Sequence, residues 1–501
     1  MTLASIARVR QPGWILDWHA SALAVLAWLL VPAAVGWFGY VVLDSMRNYA
    51  PQEIRLSADG EYDPYFDDFA VFYAAGRIVD EGRGDDLYKP EALHQEQADE
   101  LGVPVGSIIR LPYYNPPHFA LALAPLPLLP IGLAAAVWTL IQVAAFLGSF
   151  ASFWRLKSLG KERLLGVIVL LSLVSSMPFH EIILHGQISL ILVVAWIALW
   201  FGSVEGRDDR LTVLAVTLLA VKPQLAVVPV AYLMLSRRWR ALTIAFAIQL
   251  SFGLIASLVL SPWIELNWLR LMLQAARWDD QNGIWIHAMF GWNAFIRAMV
   301  GSGHEFVRAI LATCLSLTTA GLGAFWARSR YRGERQPELF GMLIFTAILI
   351  SPHLFAQDLI LAGLPFGLLI ARRSGAERTG WIVLGLIGWT LSFVHFGWVM
   401  AKPDELGINY VTLWVFVSFV ACGMLLQKPL EARPDLPDAS ASGLPRRSLA
   451  IQLGLAMLLA STLFILIPGL AGHRMASAIE YSYSAKKGPT YRIVLLDLAN
   501  D

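Results

Sequence analysis

Charge is scarce in this chain. Only 15% of its 501 residues are charged, against about 25% in an average soluble domain, while 57% are hydrophobic and the mean hydropathy is +0.59. A soluble protein of this length has to cover its surface with polar side chains, and this chain has too few of them. The composition therefore excludes a soluble enzyme, a disordered chain and a coiled coil.

Cysteine and an excess of either charge sign are also lacking. The two cysteines, Cys314 and Cys422, both lie inside apolar runs, which excludes a disulfide framework and a cysteine-based metal site. The 38 basic and 37 acidic residues nearly balance, so the net charge does not point to a nucleic-acid partner. What remains is an all-α polytopic membrane protein, because a chain that spans lipid must satisfy its backbone polar groups internally.

Long apolar runs are what the chain has in abundance. The first, 20–43, is uncharged and long enough to cross about 30 Å of hydrocarbon. It is too long for a signal-peptide core, and no small-residue cleavage site follows it. Further runs lie at 131–154, 164–183, 187–202, 211–222, 224–236, 241–261, 305–327, 338–352, 354–371, 380–400, 408–427 and 449–470. We predict about 12 to 13 transmembrane helices, several of them short.

Basic loops set the predicted orientation, because cytoplasmic loops carry an excess of Lys and Arg. All basic loops lie in the cytoplasm at once under two conditions. The segment 119–130, which has three prolines, must stay in the interface or re-enter rather than cross. The segment 211–236 must turn back at Lys222-Pro223-Gln224 as two short helices, which a proline favours. The N-terminus is then inside and the C-terminus outside.

This orientation divides the chain into segments with different predicted places. A transmembrane catalytic domain, 20–427, contains a long first outer loop, 44–130, with 15 of the 37 acidic residues, and a Trp-rich outer loop, 262–304. In the second loop, 263–277 mixes apolar and charged residues at roughly helical spacing and is expected in the interface. The remaining segments are a cytoplasmic N-terminus (1–19), a cytoplasmic linker (428–448), a last transmembrane helix (449–470) and an extracytoplasmic tail (471–501) that contains one possible strand, TYRIVLLDL.

Acidic and aromatic residues cluster in the first outer loop. Asp67 and Asp68 precede a helical-looking stretch, 69–81, that contains Tyr73. Two interpretations stay open: one aspartate caps that helix, or a carboxylate flanked by aromatic rings near the lipid surface is a general base. Farther along this loop, Tyr113-Tyr114-Asn115-Pro116-Pro117-His118 predicts a stiff turn, and His118 alone is more typical of a structural residue.

Two further clusters lie at predicted outer turns. His180-Glu181 and His185-Gly186-Gln187 fall within eight residues, but they lack the spacing of a zinc-binding His pair, so hydrogen bonding to a polar ligand fits better. Ser351-Pro352-His353 precedes Gln357-Asp358. If a helix starts near 353, His353 and Gln357 share one face and Asp358 lies about a turn deep, where capping or helix pairing is the alternative role.

Lys222 lies in an otherwise apolar stretch. Burial of a lysine at membrane depth is costly unless an anion pairs with it. Either it snorkels to the outer surface, or it contacts a phosphate as a point charge. The second interpretation predicts that Lys222→Met weakens phosphate binding with little effect on folding.

Taken in order, these residues resemble glycosyltransferase family 87, within the GT-C superfamily of integral membrane enzymes. The likeness covers roughly 45–370 and rests on an ordered set of short motifs, none of them specific alone. They are Asp67-Asp68-Phe69 with Tyr73-Ala74-Ala75, Gly84 and Tyr88, Tyr114-Asn115-Pro116-Pro117, His185-Gly186-Gln187, Lys222-Pro223-Gln224 ahead of Arg237-Arg238-Trp239-Arg240, and Ser351-Pro352-His353.

The resemblance implies a GT-C-type fold and a polyprenyl-phosphate-sugar-dependent hexosyltransferase. Such enzymes move a sugar, typically mannose, to a lipid or glycan acceptor outside the cytoplasm, here at a bacterial inner membrane with the active site facing the periplasm or cell exterior. By position, Asp68 matches the family's catalytic aspartate and Asp67 is the adjacent alternative. No cofactor or divalent metal is expected, because Lys and His side chains alone can hold a monophosphate.

Roles for the other candidates complete the prediction. Donor phosphate binding is expected from Lys222, His353 and His185. Substrate binding is expected from Gln187, His118, Tyr73, Asp358 and Gln224. Besides membrane lipids, the expected partners are the polyprenyl-phosphate sugar and the acceptor.

A membrane transporter or flippase is the competing function. It explains many helices and buried polar residues, but it usually predicts internal repeats and polar residues near the bilayer midplane. Here the polar residues lie at outer turns, and no internal repeat is evident. A non-catalytic membrane assembly factor is the third alternative.

Overall fold

The computed structural model of the chain describes residues 68–102, 104–105, 111–154, 163–206, 208–281, 289–300, 304–328, 336–373, 375–401, 409–427, 477–484 and 488–495. From 68 to 427 the described secondary structure is helical, which confirms the predicted all-α polytopic fold. The predicted first and last spans, the N-terminal segment, the linker 428–448 and Asp67 lie outside the described residues.

Three α-helices form the described part of the first outer loop. They are α1 (Asp68–Asp80), α2 (Pro90–Leu101) and α3 (Pro117–Leu123), with 3-10 turns at Gly84–Asp86 and Leu126–Leu128. The second and third helices begin at proline, whose fixed φ suits a first helical turn. The second ends at Gly102, which has a left-handed φ of 68°.

Most of the remaining helices follow the predicted apolar runs, whereas Ile264–Gln281 and Trp292–Val300 lie in the predicted Trp-rich outer loop. In chain order, the remaining helices are α4 (Ile131–Trp154), α5 (Arg163–Val174), α6 (Met177–His185), α7 (Ser189–Leu199), α8 (Asp209–Leu219), α9 (Pro223–Leu235), α10 (Trp239–Val259), α11 (Ile264–Gln281), α12 (Trp292–Val300), α13 (Glu305–Arg328), α14 (Gln336–Ile350), α15 (Gly363–Arg372), α16 (Gly375–Ala401) and α17 (Tyr410–Gln427). Among the described residues, three helical segments are long and apolar enough to cross a membrane alone: Ile131–Trp154, Trp239–Val259 and Phe306–Ala327.

The run 164–183, predicted as one span, is broken in two. Helix α5 ends at Val174 and α6 begins at Met177, with a bend of 53° between them. The hydroxyl of Ser176 accepts a hydrogen bond from the Phe179 N–H, and Pro178 lies in the first turn of α6. Because a serine cap and an early proline both start a new helix, the polypeptide changes direction here.

Two other predictions concern where helices end or begin, and they have different outcomes. The turn within 211–236 is confirmed as a helix break, since α8 ends at Leu219 and α9 starts at Pro223. The helix proposed to start near 353 is wrong: a 3-10 helix, Ala356–Ala362, precedes α15, and His353 lies in the loop before it. His353 and Gln357 therefore do not share an α-helical face.

Buried side chains form two hydrophobic clusters. The larger extends from Phe146 to Leu426 and includes Trp196 and Trp200. The smaller joins the aromatic face of α1 to the start of α4 and the far end of α10. Ile188 belongs to the smaller cluster and Leu190 to the larger, so the turn between α6 and α7 lies where the two meet.

Buried ion pairs tie the helix ends on the side of the basic loops. Glu338, fully buried at the start of α14, accepts a hydrogen bond from Arg373. Glu205 pairs with Arg372 at 3.1 Å, and the Arg372 guanidinium lies over the Trp200 ring at 5.3 Å. Each buried carboxylate thus has the cation that its desolvation requires.

A two-stranded antiparallel hairpin lies in the predicted tail. Strand β1 (Ser477–Ser484) pairs with β2 (Gly488–Leu495), with Tyr481 opposite Tyr491. The strand predicted near the end of the chain is confirmed over the residues that β2 covers.

Candidate functional site

Asp68 is the first residue of α1, and its carboxylate accepts a hydrogen bond from the Gln187 side-chain amide. The helix is fixed beneath it because Phe69, Phe72 and Tyr73 are all buried. A carboxylate is favoured at a helix N-terminus by the helix dipole. The Asp68 carboxyl group is half-buried and is oriented by the Gln187 amide.

The turn after α6 positions Gln187. Gly186 ends the helix with a left-handed φ of 63°, which glycine adopts without steric cost. Its carbonyl accepts from the Trp138 indole N–H at 2.7 Å, and the Gln187 N–H donates to the Ile182 carbonyl at 3.0 Å. These backbone contacts hold the Gln187 amide toward Asp68 and start α7 two residues later.

Lys222 pairs with Asp358. Its Nζ lies 2.7 and 2.6 Å from the two carboxylate oxygens, and the Ser189 hydroxyl donates to the same carboxylate at 2.7 Å. Asp358 is 1% exposed and the Lys222 side chain 15%. Lysine in this apolar stretch therefore has the anionic partner that its burial requires, and it does not need to snorkel to the surface.

Asn115 connects the outer loop to the Lys222 turn. Its side-chain amide donates to the Val221 carbonyl at 3.1 Å, and its own carbonyl accepts from the Tyr88 hydroxyl at 2.7 Å. Burial raises the pKa of the Tyr88 phenol well above its usual range, so the hydroxyl stays protonated and can donate. Besides forming a stiff turn, the Asn-Pro-Pro motif thus bonds the first outer loop to the turn that carries Lys222.

His353 lies beside Tyr114. The two ring centroids are 6.0 Å apart, and the Phe355 ring contacts His353 edge-on at 4.8 Å. The indole of Trp268, on the surface helix α11, donates to the Tyr114 carbonyl at 2.9 Å. The loop that carries His353 contacts the first outer loop at Tyr114 and the second through Asn293, whose side-chain amide donates to the Pro352 carbonyl at 2.9 Å.

Glu181 lies between two histidines. Its carboxylate oxygens are 3.2 Å from His185 Nε2 and 3.5 Å from His180 Nδ1, and the side chain is almost fully buried. Among the described residues, no group of three His, Cys, Asp or Glu side chains has the geometry of a metal site. The arrangement fits hydrogen bonding, in which Glu181 orients His185.

Three other candidates do not bond to the residues of this cluster in the described part of the chain. The Tyr73 hydroxyl donates to the Leu129 carbonyl at 2.7 Å, which gives it a packing role within the outer loop. His118 packs against Phe252, with ring centroids 5.6 Å apart, and burial lowers the pKa of its imidazole. Gln224 is half-buried on the first turn of α9.

Contacts and short stretches of chain together join residues that are far apart in sequence. Asp68 bonds to Gln187, and Ser189, two residues farther on, bonds to Asp358, which pairs with Lys222. Asn115 bonds to the carbonyl of Val221, next to Lys222, and the neighbouring Tyr114 contacts His353. Sequence analysis gave Asn115 no role of its own and missed Ser189. Asn115 had a signal, since it lies within a motif, whereas a serine in an apolar helix start had none.

This arrangement suits a reaction in which a proton and an anion leave in different directions. Asp68 provides a hydrogen-bonded carboxylate, the form a general base takes. Lys222 has three donor hydrogens, of which two are used on Asp358, and one remains for an anionic ligand. His353 lies near the same turn. Glycosyl transfer from a phosphate donor needs both functions.

The family model that matches this chain is glycosyltransferase family 87. It matches residues 113–352, which include Asn115, His185, Gln187 and Lys222. The match ends one residue before His353, and Asp68 precedes it. The resemblance inferred from the motifs is thereby confirmed.

Two relatives carry a more specific name. A polyprenol-phosphate-mannose-dependent alpha-(1-2)-phosphatidylinositol pentamannoside mannosyltransferase of Mycolicibacterium smegmatis is 26% identical over 330 residues, 62% of this chain and 74% of the relative. The protein of that name from Mycobacterium tuberculosis is 27% identical over 317 residues, 60% of this chain and 71% of the relative. No solved structure matches the chain. Together the matches support a membrane glycosyltransferase.

Proposed function

We propose that this protein transfers mannose from a polyprenyl-phosphate donor to a lipid or glycan acceptor on the extracytoplasmic face of a bacterial inner membrane. The donor follows from the names of the relatives. The observation that carries the proposal is that the turn from Gln187 to Ser189 bonds to both Asp68 and the Asp358–Lys222 pair, which brings together a base-type carboxylate and an ammonium group for the departing phosphate.

In the proposed reaction the acceptor hydroxyl attacks C1 of the mannosyl group. The new C–O bond forms as the bond from C1 to the phosphate oxygen breaks, and the electron pair leaves with polyprenyl phosphate. Asp68 accepts the hydroxyl proton. Attack opposite the leaving phosphate inverts the configuration at C1, and no covalent bond to the enzyme is needed.

The contacts of Asp68 support its role as base. An amide donor from Gln187 orients the carboxylate at the N-terminus of α1. The remaining lone pairs are available to an acceptor hydroxyl. Gln187 acts here as a positioning residue rather than a proton acceptor.

The departing phosphate is assigned to Lys222, His353 and His185. Lys222 is held by Asp358, which the Ser189 hydroxyl orients, so its remaining N–H direction is fixed before the donor binds, as electrostatic stabilisation by preorganised donors requires. Glu181 holds His185 in the same manner. We propose that these side chains hold the phosphate by hydrogen bonds without a divalent metal, while the apolar 119–130 segment and the Trp-rich loop hold the polyprenyl chain.

Donor consumption tests this function. Purified full-length protein is incubated with polyprenyl phosphates that carry mannose, glucose, galactose or arabinose, together with a bacterial lipid extract as acceptor, with and without EDTA. Release of polyprenyl phosphate from the mannose donor alone, insensitive to EDTA, is the expected result. No release from any donor, together with movement of lipid across proteoliposomes, would favour a flippase instead.

A further inference from the structure

A cavity lies near the end of helix α9 that is opposite Lys222. It has a volume of about 530 Å³. The start of α8 lines it with Asp209 and Arg210, and the start of α10 lines it with Arg240, Ile244 and the preceding residue, Arg238. Helix α9 separates it from Lys222, and thirteen residues of α-helix span about 20 Å. The cavity is therefore not part of the candidate catalytic site.

Arginine dominates the polar lining of this cavity. Arg238 is neutralised by Asp209 at 2.9 Å, and the carboxylate of Asp208 caps α8 by accepting the backbone N–H of Arg210 at 2.8 Å. The guanidinium groups of Arg210 and Arg240 are exposed and have no acidic partner among the described residues. Arg210 and Arg240 are thus available to an anionic ligand.

The cavity continues from the membrane surface into the apolar region. Helix α10 is one of the candidate spans, so Arg240 at its start lies at a membrane surface. Ile244 lies about 6 Å deeper along the helix. Farther along the helix, the exposed side chains Ile255 and Leu258 lie on the same face of α10 as Ile244, because eleven and fourteen residues are close to whole numbers of helical turns. A ligand with an anionic head and an apolar tail matches both parts.

We propose that this cavity binds the headgroup of an anionic phospholipid from the cytoplasmic leaflet, with an acyl chain along the exposed face of α10. The leaflet follows from the basic loops, which the positive-inside rule assigns to the cytoplasm. Basic pockets between transmembrane helices on that side are suited to anionic headgroups. A soluble phosphate would make no contact with Ile244 and the apolar face of α10, whereas a lipid would contact both, and we therefore propose a lipid as the occupant.

Native mass spectrometry of the detergent-solubilised full-length protein tests this site. Phosphatidylglycerol and phosphatidylcholine with identical acyl chains are titrated against wild type and Arg210→Gln/Arg240→Gln. The control, Lys89→Gln/Arg270→Gln, removes the same number of charges from the helices of the two outer loops. Since each arginine near a membrane surface contributes about a fivefold preference for anionic lipid, the first variant should weaken phosphatidylglycerol binding roughly thirtyfold. The control should bind as wild type does.

Two other results decide against the proposal. Equal binding of both lipids by wild type, or unchanged phosphatidylglycerol binding in Arg210→Gln/Arg240→Gln, would show that the cavity is not an anionic-lipid site. Competition by glycerol phosphate at the concentration at which the lipid binds would identify a soluble phosphate as the occupant. The melting temperature of Arg210→Gln/Arg240→Gln shows whether this variant folds. If it does not fold, Arg210→Lys/Arg240→Lys is tested instead, and it should retain phosphatidylglycerol binding because it keeps both charges.

Discussion

Lys222 and Asp358 neutralise each other where neither charge would be stable alone. The sequence indicated each residue separately, because an ionisable side chain in an apolar stretch is costly. It could not indicate that they pair, since 136 positions separate them. The pairing changes the expected result of Lys222→Met, which was predicted to have little effect on folding: loss of the cation leaves a buried carboxylate without a partner.

Both single variants of this pair should therefore be unstable. Lys222→Met and Asp358→Asn are each expected to cost about 3–5 kcal/mol, because removing one partner of a buried pair leaves an uncompensated charge. The double variant should melt at a higher temperature than Lys222→Met. Lys89→Met, which breaks a surface pair with Asp86, is the control and should leave the melting temperature unchanged. Additive losses in the double variant would show that the two charges do not depend on each other.

The folded state disfavours protonation of the His118 imidazole. Burial lowers the pKa of its imidazole, whereas the unfolded chain takes up this proton near pH 6.5. Protonation therefore favours unfolding as the pH falls below about 6.5, and stability is greatest above that pH. His118→Gln, which does not protonate, should lose less melting temperature than wild type between about pH 7.5 and 5.5. Parallel losses would contradict this, and transfer at neutral pH should fall only mildly.

Among the helices, the lengths of the apolar runs predicted where helices lie better than they predicted where helices are interrupted. The run 131–154 became the helix Ile131–Trp154, with identical bounds. The run 164–183 did not survive as one helix, because the Ser176 cap and Pro178 act locally and a hydropathy pattern does not register them. The 3-10 helix Ala356–Ala362 was likewise not predicted, since its mixture of apolar residues with Gln357 and Asp358 is equally compatible with an α-helix.

Gly84 shows why a glycine belongs to the outer-loop motif. A Cβ added there would lie 2.4 Å from the carbonyl oxygen of Leu260, which follows the far end of α10. The 3-10 turn Gly84–Asp86 therefore packs directly on backbone, and neither side has a flexible side chain that can yield.

Gly84→Ala should separate the first outer loop from α10 and lower both the melting temperature and transfer. A loss of about 1–3 kcal/mol is expected for a clash of this kind. Gly148→Ala is the matched control, because a Cβ there meets open space within a helix and alanine favours the helical state. The two variants are compared by thermal unfolding in detergent, and equal melting temperatures would contradict the close packing.

At the scale of the whole molecule, the polar chemistry and the basic loops lie at opposite helix ends. Lys222 precedes α9 and Arg238 follows it. Composition and loop charge predicted this two-sided layout, and the ordered motifs predicted which residues belong to the outer side. The contact of Gln187 with Asp68 and of Ser189 with Asp358 required the three-dimensional structure, because both depend on how the outer loop folds onto the turn between α6 and α7.

The layout predicts which positions are accessible from each side of the membrane. Single cysteines are introduced into a variant in which Cys314 and Cys422 are replaced. A cysteine at position 90, at the start of α2, should react with an impermeant thiol reagent in intact cells. Ser236→Cys, beside the basic turn after α9, should react only after permeabilisation. The reverse pattern would invert the orientation and place the candidate site in the cytoplasm.

The role of Asp68 is the central claim, and transfer by Asp68→Asn tests it most directly. Asparagine keeps the size of the side chain but removes the proton acceptor. Mannose transfer from the polyprenyl-phosphate donor by purified protein should fall by about 10²- to 10⁴-fold, the contribution of positioned proton transfer. Donor binding should persist because the phosphate contacts lie elsewhere, and Asp67→Asn should retain most activity, since asparagine still caps a helix. Full transfer by Asp68→Asn would contradict the account.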